Sequence, residues 1–351
     1  MDGLTHPRDL DAWHRWQDSE QSLERRAARL LAVLRDIARP DGHAGHAVVT
    51  RGGPTPRVLV CLESRSPSSV LALLSPLRHL DPADVAVVAP TGVTGLLPEG
   101  DWMEQDGFAP DIVADLAGGD TVVLSTGHYL PLGRLAQEAS EPGRFVTVQH
   151  GLLTPHAPPL AEGTTLLAWS DADAEFWRSG RDDVTTRVVG SQLLWEAGLE
   201  PVAAPDPGAR PVFLGQLHGV ELPRDLVTQA AESFCRAEGA AYRPHPAETD
   251  RRSRATHGRW EAEGITVDRS GTPLRELGAP VVSVFSTGVA EAAAAGLPAW
   301  VHCPSAPRWL EEFWDRYHLA RWGAAPTASP ERPPMEPSRA VARAAQGMMS
   351  G

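Results

Sequence analysis

Three short runs in this chain carry residue types that could bind a phosphate and move a proton. The first is Ser283-Val-Phe-Ser286-Thr287-Gly288-Val-Ala-Glu291-Ala-Ala-Ala-Ala-Gly296-Leu-Pro298. Residues 280–285 are mostly apolar and read as a buried strand. A hydroxyl pair and a glycine break the run, and an alanine-rich helix follows as far as Gly296. Such a turn leaves backbone N–H groups at a helix N-terminus, where the unpaired donors and the helix dipole favour an anion. Ser286, Thr287 and Gly288 are therefore candidate phosphate ligands, and Glu291, one turn into the helix, could reach a ribose hydroxyl. An ordinary N-capped helix of an α/β domain reads the same way, so this stretch alone does not decide.

The second run is Tyr242-Arg243-Pro244-His245-Pro246-Ala247-Glu248. Two prolines flank one histidine and keep its backbone stiff and non-helical. A histidine fixed after a strand is placed to meet a ligand at the carboxyl edge of a parallel sheet. The third run, Arg144-Phe-Val-Thr-Val-Gln149-His150-Gly151, is β-rich and presents His150 at its end, with Gly151 free to turn the backbone. Gly215-Gln-Leu-His218-Gly219 lies at the first strand end of the second half and should face the same cleft as Gln149 and Gly151. Each histidine alone suits a structural role. Two at two strand ends, with a phosphate-type turn, suggest a base and a phosphate ligand.

These residues need elements to hold them. A mostly polar helix is expected over residues 9–38, with Leu23, Ala27, Leu30, Leu31 and Leu34 on one face. Residues 40–56 read as a linker, and His43 and His46 as loop residues without metal partners. Strands are expected at 57–62, 85–89, 121–125, 145–149, 165–169 and 184–189, with helices at 66–80, 132–139 and 171–179, the last capped by Ser170. Residues 96–115 read as irregular. The Pro/Ala/Gly-rich stretch 200–211 is the best domain boundary. Beyond it the alternation restarts, with strands at 211–214, 264–267, 280–285 and 299–302 and helices at 223–238, from 287 and at 307–320. A last helix follows the proline-rich segment 326–337. The expected plan is α/β: an N-terminal helix and linker (1–56), then two doubly wound, Rossmann-like parallel-sheet domains (57–200 and 201–351) facing a cleft.

Composition narrows the chemistry. The net charge of −13 argues against a general nucleic-acid binder, which would show a basic face. All 32 basic residues are arginine, so no P-loop or Schiff-base lysine is available. The three cysteines, Cys61, Cys235 and Cys303, lack metal-ligand spacing and suit a reducing compartment. No apolar signal or spanning segment is seen, and a cytoplasmic protein is expected. Asp171-Ala-Asp173 opens a helix and reads as a first-turn dipole pair, not a metal site.

Together, Gln149-His150-Gly151, Arg243-Pro-His245-Pro and Ser286-Thr287-Gly288-(x)2-Glu291-Ala resemble motifs of GT-B fold nucleotide-sugar transferases of bacterial surface-polymer synthesis. The resemblance spans residues 145–301 and is nearest to CDP-glycerol glycerophosphotransferases, polysialyltransferases and capsule glycosyltransferases. It implies a metal-independent transferase without cofactor, using a CMP-, CDP- or UDP-linked sugar or polyol donor and a polymer or lipid-linked acceptor. Such an enzyme works in the cytoplasm or at the inner face of the membrane, where peripheral association is compatible with its acceptor. It also implies that His245, Ser286, Thr287 and Gly288 hold the donor phosphate, with Arg243 and Glu291 toward the nucleotide and ribose. His150 takes the place of the glycerophosphotransferases' proposed base, although Gln149 stands where they have tryptophan. Polysialyltransferases use an acidic residue beside a glycine instead, and Glu99-Gly100 and Glu162-Gly163 match that pattern poorly. A UDP-sugar 2-epimerase and a catalytically inactive scaffold of the same fold are the alternative readings. Only the first would convert a nucleotide-sugar without an acceptor.

Overall fold

The computed structural model describes residues 3–21, 45–199, 202 and 208–350. The second part of the expected first helix with its leucine stripe, His43 and the expected boundary at residue 200 lie outside the described residues. The chain forms two compact units, Asp2–Leu193 with Pro333–Gly351, and Leu194–Arg332.

The first unit is built on eight strands: β1 (His46–Arg51), β2 (Val58–Cys61), β3 (Val85–Ala89), β4 (Met103–Phe108), β5 (Val122–Ser125), β6 (Phe145–Val148), β7 (Thr165–Ala168) and β8 (Thr185–Val188). Their order is β4-β1-β3-β2-β5-β6-β7-β8. β3 through β8 run parallel, while β1 is antiparallel to both β3 and β4. The sheet is parallel as expected, with one antiparallel strand, β1, inserted between β3 and β4. Residues 46–51, read as linker, form β1, and His46 faces Asp106 across the ladder at 3.2 Å. Part of the stretch read as irregular forms β4 and a helix. β4 lies at the sheet edge with mostly exposed residues, so it carries no apolar run to announce it.

The helices of this part are α1 (Leu10–Glu20), α2 (Pro67–Leu73), α3 (Ala109–Leu116), α4 (Pro131–Ala139) and α5 (Asp171–Arg178), and α6 (Gln192–Ala197) spans the boundary to the second unit. Asp9 caps α1 through Ala12 N–H, and Ser170, the expected cap of α5, accepts from Asp173 N–H. α2 is shorter than expected: beyond Leu74 the chain tightens into a 3-10 turn over Ser75–His79, where Pro76 cannot continue an α-helix. β2, β3, β5, β6 and β7 are buried along their whole length, which explains their continuous apolar sequences. Each such Val or Leu contributes about 1.5–3 kcal/mol relative to an exposed one.

The second unit has a four-stranded parallel sheet of β9 (Val212–Leu214), β10 (Ala241–Arg243), β11 (Val281–Ser283) and β12 (Ala299–Val301), in the order β10-β9-β11-β12. Single parallel bridges, Tyr242 to Val267 and Val301 to Arg321, extend it on both sides. The expected strand at 264–267 is reduced to that one bridge. Helices α7 (Arg224–Glu238), α8 (Arg251–Ala262), α9 (Thr287–Ala294) and α10 (Arg308–Arg316) complete the unit. Both halves are thus the Rossmann-like α/β units read from the sequence.

The last helix, α11 (Pro337–Met349), belongs to the first unit, not to the second as the sequence reading assigns it. Val341, Ala342, Ala344 and Ala345 pack into the core beside Val58, Val60, Leu124 and Val146. Ser338 N–H donates to Gln192 Oε1 at 2.8 Å, and Arg57 Nη2 reaches the Met349 carbonyl at 2.6 Å. In each unit the strand order reverses at one place, between β2 and β5 and between β9 and β11. In open α/β sheets, ligands bind at such reversal points, beyond the carboxyl ends of the strands.

Candidate functional site

The second unit brings most of its expected residues to its reversal point. β9 leads into Gly215–Gly219, and β11 leads into Ser286 and α9. Ser286 caps α9, its Oγ accepting the Gly288 N–H at 3.1 Å. That amide is therefore committed within the turn. Gly288 itself is buried, and a Cβ there would sit 2.6 Å from Leu214 Cδ1. Its small size lets α9 pack closely on β9, a packing role beside the phosphate role expected of it. Gln216, which the sequence reading passed over, ties the two loops together. Its Oε1 accepts from Phe285 N–H at 2.9 Å and from the Ser283 hydroxyl at 3.0 Å.

His245 and His218 meet as a stacked pair, with ring centroids 3.9 Å apart and planes 16° from parallel. His245 Nδ1 accepts the Ala247 N–H at 3.1 Å, which places the proton of the neutral ring on Nε2. Burial lowers the His245 pKa, a shift that the charge of Glu248 opposes. At neutral pH His245 offers a phosphate an N–H, not a positive charge. Arg243 is held by Asp268 at 3.5 Å and by the Thr272 carbonyl. Burial raises the Glu291 pKa, and the positive charge of Arg243 works the other way, so these two expected nucleotide-side residues share one environment.

Beneath the loops lies a buried polar network that the motifs did not reveal. Glu248 accepts from Leu217 N–H at 2.9 Å, from the Tyr242 hydroxyl at 2.9 Å and from His257 Nε2 at 2.9 Å. Burial raises its pKa, but these bonds outweigh burial and hold it below the usual carboxylate range. An ionised Glu248 is acceptor-only, so His257 carries its proton on Nε2.

In the first unit His150 lies one residue beyond Gln149 at the end of β6 and lines a small pocket with Gln149, Trp169, Ser191 and Gln192. Gln149 is committed to structure: its Oε1 accepts Trp169 N–H at 2.8 Å and its Nε2 donates to the Gly151 carbonyl at 3.0 Å. It joins the ends of β6 and β7 instead of offering its amide to the cleft. The Nδ1 of His150 is buried without a hydrogen-bond partner, and burial pushes its pKa down to about 4.

The same sheet edge carries two groups not foreseen from the sequence. Glu63 follows β2, and its carboxylate accepts Leu132 N–H at 2.7 Å and Gly133 N–H at 3.1 Å from the first turn of α4. Burial lifts its pKa to about 7, against the pull of those two amides. His128 follows β5. Burial, then Arg181, Arg134 and His14, push its pKa to about 4. Only the reversal of strand order between β2 and β5 marks Glu63, and a linear sequence does not show it. Asp173 accepts from Ser170 Oγ at 2.9 Å and stays within the helix cap, as read. Among the described residues no three His, Cys, Asp or Glu side chains form a group able to hold a metal ion. None of the described helices is long and apolar enough to cross a membrane.

These shifts make stability depend on pH with opposite signs. His128 and His150 are held below the ordinary value of 6.5, so between 6.5 and about 4 the unfolded chain binds more protons and acid destabilises the fold. Glu63 is raised from 4.5 to about 7, so its contribution is full below 4.5 and is lost as pH rises through 7. Glu63→Gln removes this opposing term. Its melting temperature should fall more steeply than the wild type's between pH 6.5 and 4.5, and parallel curves would refute the assignment.

No protein-family model matches the chain, and no curated protein matches it. Among solved structures it is similar to the UDP-GlcNAc 2-epimerase of Methanocaldococcus jannaschii, with TM-score 0.43 and 11% identity over 83% of this chain and 99% of that one. It is also similar to a mutant O-GlcNAc transferase of Thermobaculum terrenum, with TM-score 0.43 and 14% identity over 85% of this chain and 62% of the other. A third is Anabaena HepE in complex with UDP and glucose, with TM-score 0.42 and 14% identity over 83% and 89% of the two chains. At these scores the functional reading rests on the residues themselves.

Proposed function

We propose that this protein is a transferase that uses a nucleotide-activated sugar or polyol, with the donor phosphate bound in the second unit. The stacked His218–His245 pair carries the reading, because it sits beside the reversal point between β9 and β11 and follows the same edge as the Ser286 turn. In this reading His245 Nε2–H and the hydroxyls of Ser286 and Thr287 donate to the phosphate, and α9 directs its N-terminus toward the charge left on the departing nucleotide. Arg243 and Glu291 serve the nucleotide and its ribose. His150 is the proposed base, which takes the acceptor's hydroxyl proton as the new bond to the donor forms and the bond to the nucleotide phosphate breaks. We assign no metal to this chemistry. A CMP-, CDP- or UDP-linked donor and a surface-polymer acceptor are the specific substrates proposed.

Calorimetry with CMP, CDP, UDP, GDP and TDP compounds tests the donor site. At least one cytidine or uridine compound should bind, and His245→Ala should weaken it about 10- to 150-fold, equivalent to about 1.5–3 kcal/mol for a hydrogen bond to a charged group. Absence of binding across the panel would overturn the function, and unchanged affinity in His245→Ala would remove this residue from the site.

A further inference from the structure

We infer that Glu248 is the positioning residue of the donor-phosphate site: one buried residue sets the geometry of the two imidazoles, its carboxylate holding the His218 loop and its backbone N–H the His245 loop. The inference rests on the donor-site reading above and adds to it the group that builds the site.

The first loop is held through Leu217. Its N–H donates to Glu248 Oε1 at 2.9 Å, and its carbonyl accepts from Arg224 Nη1 at 2.6 Å. The two peptide groups flanking Leu217 are thus gripped by side chains of opposite charge. His218 is the next residue, so the grip fixes where its ring projects. The second loop is held by the same residue from within: Glu248 N–H donates to the His245 carbonyl at 2.9 Å and closes the turn that carries His245. The rings that emerge from these loops stack at 3.9 Å.

The carboxylate is itself fixed by Tyr242 from β10 and His257 from α8, and it is buried. Arg224 is anchored in turn by Ser253 Oγ at 3.1 Å, and Ser253 by Asp250. The titratable and charged groups facing Glu248 are therefore Tyr242, His257 and His245, with Arg224 one peptide group away. Gly215 shows how closely the loop approaches: a Cβ there would lie 2.6 Å from Glu248 Oε1. The carboxylate already accepts from Leu217, Tyr242 and His257, and it acts on the donor through Leu217 and His218.

Two readouts test this. Imidazole proton signals of His218 and His245 in the nucleotide-free protein report the stack through mutual ring-current shifts, and calorimetry reports donor affinity. Glu248→Ala should abolish the ring-current shifts and weaken nucleotide binding at least 10-fold, raising the KM for donor more than it lowers kcat. Glu248→Gln keeps an oxygen for the Leu217 amide and should retain the stack and most of the affinity. If Glu248→Ala does not fold, Tyr242→Phe removes one donor to the carboxylate, and the hydroxyl it deletes hydrogen-bonds only to Glu248 among the described residues; it should partly lose both signals. A folded Glu248→Ala, or a Tyr242→Phe, with wild-type ring shifts and affinity would overturn the inference. Should the wild type bind no nucleotide, the donor reading falls, and the ring shifts alone then decide whether Glu248 sets the pair.

Discussion

His150→Ala should bind nucleotide with near-normal affinity and transfer its donor group about 10²–10⁴ times more slowly, the usual cost of removing a general base. The ring follows β6 in the first unit, whereas the proposed donor ligands belong to the second. Its loss should therefore appear in turnover rather than in binding. Burial sets the pH at which it acts. With a pKa near 4, His150 is deprotonated throughout the neutral range, and the acid limb of kcat should fall near pH 4. An acid limb near pH 7 would point instead to Glu63, whose carboxyl titrates there, and a large rate loss in Glu63→Gln would confirm the exchange. Melting temperatures on the same samples separate chemistry from folding. A stable His150→Ala protein with near-normal turnover would remove His150 as the base. The orphaned Nδ1 sharpens this test, because no hydrogen bond from that atom supports the fold.

The second large effect is on stability. Gly215→Ala should destabilise the second unit by about 3 kcal/mol, within the usual costs of overpacking and of disturbing a paired buried charge. Its new Cβ would lie 2.4 Å from the Tyr242 hydroxyl oxygen and 2.6 Å from Glu248 Oε1. Both atoms are buried and hydrogen-bonded to each other, so neither can retreat without losing its partner. On a unit of this size such a loss lowers Tm by roughly 6–12 °C. Gly258→Ala makes the opposite case. Gly258 lies exposed within α8, and a Cβ there meets nothing within 4 Å. Alanine should add about 0.5–1 kcal/mol by helix propensity. Chemical denaturation of both variants measures the difference; equal stability of Gly215→Ala and the wild type would contradict the close approach.

Much of the architecture was legible from residue pattern. Val-Leu-Val-Cys of β2 and Val-Ala-Val-Val-Ala of β3 are unbroken apolar runs because both faces of those strands are buried. Ser170 and Ser286 announced their helices because an N-cap depends on residues only a few positions apart. The two histidines after strands were legible for the same local reason: proline or glycine beside them marks the end of regular structure. β4 escaped notice because edge pairing is made by backbone groups and leaves its side chains exposed and mostly polar, whereas β1, a short buried run, is hidden by the Gly/Pro/His-rich stretch around it. The destination of α11 was equally hidden, since an alanine-rich apolar face fits either unit.

The sequence by itself determined two α/β halves, the strand ends that carry His150, His218 and His245, the capped turn at Ser286, and the exclusion of lysine chemistry. Only the tertiary structure decided that Gln149 is spent on joining β6 to β7, that His218 and His245 stack, and that Glu248 and Gln216 hold their loops. It also decided the protonation of the site, lowering His150 and raising Glu63. The reason is range. Periodicity, caps and turns are set by neighbours within one turn or one strand. Hydrogen bonds such as Leu217 to Glu248 and Gln216 to Phe285, and the loss of water that shifts a pKa, depend on segments brought together only when the sheet closes over its core.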